Sequence, residues 1–184
     1  MIVLKRKLWG TLSALTFIGI LFATSSPLFG APVPGGPGFV SIGSAEFRSA
    51  LPSTTYYLPG NRLVNLSGVT GTFFAPVHLP QGATITQFVL YFIDNGTSDI
   101  VVFLSSVPLD DPTVANTVAV ITTSGASPAP RTLVVNTAPN GNIIDNQSNF
   151  YVVTITLPSS GLDYQVGGVR IDYKFPINLP LIMK

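Results

Sequence analysis

Any Ser-His-Asp chemistry in this chain would have to use His78, its only histidine, and the chain has no cysteine for thiol chemistry or thiolate-bound zinc. A serine nucleophile needs an imidazole that is itself oriented by an acid. His78 follows Phe74 and Pro76 at two-residue spacing, which puts all three on one face of an extended segment. Pro76 confines that segment to a sheet edge or a bulge, so His78 reads as an exposed edge-strand side chain. A glycosidase needs two carboxyl groups roughly 5–10 Å apart. Asp94 with Asp99 and Asp110 with Asp111 are the closest pairs in sequence. Both lie in turn-like stretches, where Asp is favoured for capping the backbone alone. The sequence assigns no catalytic residue.

Two kinds of binding remain. Asp94-Asn95-Gly96-Thr97-Ser98-Asp99 is oxygen-rich and sharply turned. Asp94 and Asp99 are therefore candidate calcium ligands, although the spacing of a helix-loop-helix calcium loop is missing. Tyr56, Tyr57 and Tyr164 fall in predicted loops and are candidate platforms for a sugar ring. Their plainer role is to anchor those loops on the rim of the fold. Asn65-Leu66-Ser67, Asn95-Gly96-Thr97 and Asn146-Gln147-Ser148 match the N-glycosylation pattern, as chance allows in a chain rich in Asn, Ser and Thr.

Lys5-Arg6-Lys7, the apolar stretch Leu8–Phe22 and the small residues Ala23-Thr24-Ser25 together read as a secretory signal peptide spanning residues 1–25. Gly30 and Ala31 are alternative cut sites, and an uncleaved anchor is the competing reading. The apolar core is shorter than the ~20 residues of a spanning helix, so no stable membrane span is expected after cleavage. Without residues 1–25, six basic side chains face eight acidic ones, a net charge of −2. That balance excludes nucleic acid as a partner. Only 9% of the residues are charged, against ~25% in an ordinary soluble domain. The surface must be built from Ser, Thr, Asn and Gln, which suits close packing against neighbours.

The elements that must position these residues are strands. A turn at Pro80-Gln81-Gly82 opens a β-branched and aromatic run to Ile93, and a second apolar run follows from Ile100 to Leu104. Two apolar runs around Asn95-Gly96 predict a hairpin, with Asn and Gly supplying positive φ. From Phe88 onward both faces of the first run are apolar, so both faces should be covered, by a loop or terminal segment or by another subunit. Further on, Phe150–Leu157 and Gly168–Phe175 alternate cleanly. The inward positions are Phe73, Val77, Phe88, Leu90, Phe92, Val102, Leu104, Val153, Ile155, Val169, Ile171 and Tyr173. About nine short strands follow in all, with no helix after the signal. This defines a single antiparallel β-sandwich of jelly-roll type over residues 39–175. A Pro/Gly-rich arm, 26–38, precedes it, and an apolar tail, 176–184, follows it.

The run LPQGATITQFVLYFIDNGTSDIVVFL, with YVVTITLP and VRIDY, resembles uncharacterised secreted bacterial proteins of β-sandwich type over Thr72–Phe175. The resemblance implies the fold and carries no functional residues. A free tail should be polar, yet Ile177, Leu179, Leu181 and Ile182 are apolar, which makes them candidate assembly contacts for a homo-oligomer or surface array. The function expected from sequence is thus an exported, non-enzymatic structural, adhesive or assembly module at the cell surface. A carbohydrate-binding module with a polysaccharide partner is the alternative, and a hydrolase comes third. No cofactor other than calcium is implied. Mass spectrometry of protein from the producing cell should find a chain beginning at Ser26, and an N-terminus at Met1 would remove the signal-peptide reading.

Overall fold

The computed structural model describes residues 36–137, 143–159 and 161–175. Eight long strands carry the fold: β1 (Pro37–Gly43), β5 (Gly71–Val77), β6 (Thr84–Asp94), β7 (Val101–Pro108), β8 (Asn116–Thr122), β9 (Ser127–Asn136), β10 (Asn149–Leu157) and β11 (Tyr164–Lys174). Three two-residue strands, β2 (Arg48–Ser49), β3 (Tyr56–Tyr57) and β4 (Val64–Asn65), lie in the connection between β1 and β5. Helical structure among the described residues is limited to three single 3-10 turns.

The long strands form two antiparallel sheets, β1-β11-β6-β9 and β5-β10-β7-β8, with β2 extending the second. Nearly every connection crosses from one sheet to the other. That strand order is a jelly roll, the double Greek-key sandwich expected from the sequence. The tail residues Ile177, Leu179, Leu181 and Ile182 and the signal region lie outside the described residues.

The predicted hairpin is not one. β6 pairs with β11 and β9, whereas β7 pairs with β10 and β8 in the opposite sheet. Residues 95–100 arch across the ~10 Å between the layers. Each strand is interior to its own sheet, so each reads as a nearly continuous apolar run without any subunit or terminal segment lying over it. On β6, Val89 is 1% exposed although it faces away from the core, with Arg170 and Val134 beside it in register. Gly96 is needed for space rather than for positive φ: a Cβ there would overlap the phenol of Tyr164. A second difference lies at β9, which begins at Ser127 where Pro128 and Pro130 predict a loop. β9 is an edge strand, and an edge tolerates residues that cannot donate to a ladder.

Alternation does set the core. Each of the inward positions read from sequence is buried, from Phe73 and Leu90 at 0% exposure to Tyr173 at 7%. The long β1–β5 connection adds Phe47, Leu63 and Asn65, all at 0%. Asn65 donates to the Val69 and Leu157 carbonyls at 2.7 and 2.9 Å and accepts from the Ser67 backbone N–H at 3.0 Å. Its amide is thereby consumed, so this sequon is closed to a glycan in the folded protein. Leu90 sits at the centre of the core on an interior strand, and Leu90→Ala should cost ~2–5 kcal/mol in denaturant unfolding. A loss under ~0.5 kcal/mol, the usual surface range, would show that the face assignment is wrong.

Candidate functional site

The tyrosines singled out in the sequence differ in exposure. Tyr56 is half-buried on β3 and meets Phe73 edge to face at 5.5 Å. Tyr57 is exposed. Tyr164 opens β11 at 3% exposure, and its hydroxyl accepts the Ser98 backbone N–H at 2.8 Å. Tyr164 therefore pins the β6–β7 arch and offers no face to a sugar.

Asp94 and Asp99 part in the same way. Asp99 is exposed, while Asp94 ends β6 at 1% exposure. One carboxylate oxygen of Asp94 accepts the Thr123 hydroxyl, and the Arg131 guanidinium stands 3.7 Å away. Arg131 supplies the positive charge that the sequence reading gave to calcium. Among the described residues no three metal-ligating side chains cluster. Asp111 behaves as a turn residue: the Thr113 hydroxyl, then its backbone N–H, holds the carboxyl below its ordinary pKa. His78 is exposed and makes no hydrogen bond to a hydroxyl or a carboxylate.

The outer face of the β1-β11-β6-β9 sheet is better equipped. Register places three cross-strand rows on it: Phe39–Asp172–Gln87–Asn136, Ser41–Arg170–Val89–Val134 and Gly43–Gly168–Tyr91–Thr132. In the first, the Gln87 amide donates to Asn136 at 3.0 Å. Between the first and second, Arg170 grips Asp172 with Nε at 2.8 Å and Nη2 at 3.1 Å. That contact is the main cause of the raised Arg170 pKa. The polar groups are thus held in place by one another, not left to swing in solvent.

In the third row Tyr91 stands alone. It is 39% exposed, and its cross-strand neighbours are Gly168 and the small Thr132. The register slips between Val166 and Gly168, a β-bulge that puts two glycines beside the ring. Gly168 has φ +152°, and a Cβ on it would come within 2.5 Å of the Ile42 carbonyl oxygen. Position 168 is therefore closed to larger side chains. Next to Tyr91 a depression of about 230 Å³ is walled by Arg62, Arg131, Pro130 and Gln165. Arg62 donates to the Gln165 side chain at 2.8 Å. Arg131 stacks on Phe92 at 4.9 Å and donates to the carbonyls of Ser124 and Asp94 at 2.9 and 3.0 Å. An exposed aromatic plate rimmed by fixed donors and acceptors can stack a flat, hydroxylated ring and hydrogen-bond its edges. The sequence reading assigned none of Tyr91, Arg62, Gln165, Arg170 or Asp172 to a site.

The fold is thus an antiparallel jelly-roll β-sandwich. No protein-family model matches the chain, and no curated protein matches it. Among solved structures, the C-terminal CBM6 of LamC, a marine laminarinase from Zobellia galactanivorans, aligns at 8% identity and TM-score 0.49, over 73% of this chain and 98% of that one. The xylan-binding module CBM15 aligns at 9% identity and TM-score 0.48, over 77% and 100%. CBM29_1, a family 29 carbohydrate-binding module from Piromyces equi, aligns at 10% identity and TM-score 0.47, over 74% and 91%. At such identities the likeness is confined to the course of the backbone.

The anchorage of Arg131 can be tested at Thr123. Thr123→Val removes the hydroxyl that Asp94 accepts from and should lower stability by ~1–3 kcal/mol, the cost of a buried polar group losing its partner. Denaturant unfolding reads this directly, and an unchanged midpoint would mean that Asp94 is not held through Thr123.

Proposed function

We propose that this protein is an exported, non-catalytic saccharide-binding module that lays a sugar chain across the outer face of the β1-β11-β6-β9 sheet. One observation carries the reading: Tyr91 stands exposed over a glycine bulge, with the Arg170–Asp172 and Gln87–Asn136 pairs fixed on the same face. Stacking provides affinity for a ring, and the paired side chains distinguish hydroxyl positions. Phe39, 66% exposed in the first row, extends the apolar contact along the face. The support for export is the leader-like start of the sequence, and the support for a non-catalytic role is the isolation of His78 and the engagement of Asp94 and Asp111 in local structure.

The structural or assembly reading keeps support from the opposite side of the molecule. On the outer face of the second sheet, Phe74, Thr154, Phe103 and Val120 stand in register, with Phe74 41% and Val120 43% exposed. An apolar stripe of this kind suits contact with a neighbour. The two readings part under one experiment. Affinity electrophoresis through gels containing soluble polysaccharides should retard the wild-type chain in at least one of them. Tyr91→Ala should weaken that retardation about tenfold, the equivalent of ~1.4 kcal/mol, with an unchanged circular dichroism spectrum. No retardation by any saccharide, or an unaffected Tyr91→Ala variant, would leave the assembly reading in its place.

A further inference from the structure

Resting on the saccharide-binding reading, we infer that the bound chain is acidic, with an anionic group, a carboxylate or a sulfate ester, seated against Arg62 beside Tyr91. The described residues carry five cationic side chains: Arg48, Arg62, Arg131, Arg170 and Lys174. Arg170 and Lys174 lie on the outer face of the β1-β11-β6-β9 sheet by register, Arg62 stands at its rim against Gln165, and Arg131, on the core-facing row with Phe92, lies at the sheet edge. Most acids belong to the end loops: Glu46, Asp99 and Asp163 to connections at the end where Arg62 lies, none of them within ion-pair distance of it, and Asp110, Asp111 and Asp145 to those at the other. Asp172 shares the face, Glu46 accepts the Gly43 N–H at 2.8 Å at the end of the Tyr91 row, and Asp94 lies buried at the rim under Arg131. On this face and its rim Arg62, Arg131, Arg170 and Lys174 thus stand against Asp172, Asp94 and Glu46, a small positive excess in a chain that has none once residues 1–25 are set aside.

The cations on that face are not equivalent. The charge of Arg170 is met by Asp172, and that of Arg131 by Asp94. Among the described residues Arg62 has no carboxylate within ion-pair distance, and its one hydrogen bond goes to a neutral amide, the Gln165 side chain at 2.8 Å. A guanidinium offers five N–H donors in a rigid fork, so most of the fork remains free. The Gln165 contact restrains the group at the rim of the depression that Tyr91 floors. Carboxylate and sulfate both present the paired oxygens that such a fork takes two at a time. Arg131, stacked on Phe92 at 4.9 Å, lines the same depression with its charge met by Asp94. At the far end of β11, Lys174 is a second unpaired cation on the same face. Nine residues separate Gln165 from Lys174, about 30 Å of strand, so a chain with repeated acidic groups can meet both.

The test uses the full chain, with affinities for polygalacturonate, a sulfated galactan, a neutral mannan and single-stranded DNA measured at about 0.05 and 0.5 M salt, either side of strong screening. At least one acidic polysaccharide should bind about tenfold or more tighter than mannan at low salt and lose most of that margin at high salt. Preference for polygalacturonate assigns a carboxylate, and preference for the galactan assigns a sulfate. Arg62→Gln should reduce binding of the preferred acidic chain about tenfold, while Arg48→Gln, on the other sheet, should leave it unaltered. Equal binding of mannan and the acidic chains, sensitive to Tyr91→Ala, would overturn the inference and leave the saccharide-binding reading standing. DNA binding as tight as the best polysaccharide would also overturn it, since charge alone would then account for the result. Failure of every saccharide to bind would remove both.

Discussion

The buried carboxylate of Asp94 is the contact on which the course of the chain and the outfitting of its charged face both depend. Asp94 is the one charged side chain among the buried described residues, and an ionised group out of water must be compensated where it stands. The Thr123 hydroxyl donates to it, the same hydroxyl accepts the Ile100 N–H at 2.8 Å, and the Thr123 N–H reaches back to the Ile100 carbonyl at 3.0 Å. Asp94 is the last residue of one sheet before the arch, and Ile100 precedes the first strand of the other. The network therefore ties the two ends of the crossing to the loop between β8 and β9. Arg131 closes it from outside, which fixes that guanidinium at the edge of the depression beside Tyr91.

This arrangement explains why the sequence was legible in one respect and not in another. Alternation in Phe150–Leu157 and Gly168–Phe175 is a local signal, and a two-residue period decides which side chains face inward whatever the strands pair with. Asn95-Gly96 between apolar runs is also local, but a hairpin and an arch share that signal. What separates them is the bond from Thr123 to Asp94, 29 residues apart, and the room Tyr164 needs over Gly96. Neither can be read from the segment itself. Interior strands in opposite layers and a two-sided apolar hairpin look identical in composition, and only the strand order distinguishes them.

The candidate site was hidden for a related reason. Tyr91 sits in the middle of the apolar run Phe88–Ile93, where composition makes it one more buried aromatic. Its exposure arises because register sets it against Gly168, so the signal is a pair of glycines more than 70 positions away along the chain. The loop tyrosines that looked available were the ones with structural work: Tyr56 packs on Phe73, and Tyr164 supports the arch. The charged outward positions Arg170 and Asp172 were legible as a solvent face of their strand. That they share this face with Tyr91, Gln87 and Asn136 required the register of β11 on β6 and of β6 on β9.

Low charge sharpens the electrostatics of such a face. With only 9% of residues charged, few groups are near enough to cancel an unpaired guanidinium. At 0.15 M salt the Debye length is ~8 Å, so Asp110, Asp111 and Asp145, at the opposite end of the sandwich, do little to the potential over Arg62. A surface of ordinary charge density would surround such a group with mixed signs and average it away. Here the Ser, Thr, Asn and Gln of the surface leave few charges to do so. The same feature that makes the rest of the surface weakly repulsive toward neighbours lets a few side chains define the sign of the outer face of the β1-β11-β6-β9 sheet. The pairing of Arg170 with Asp172 then serves order more than charge: it restrains both side chains beside Val89 and Gln87, leaving Arg62 as the group near Tyr91 with donors to spare.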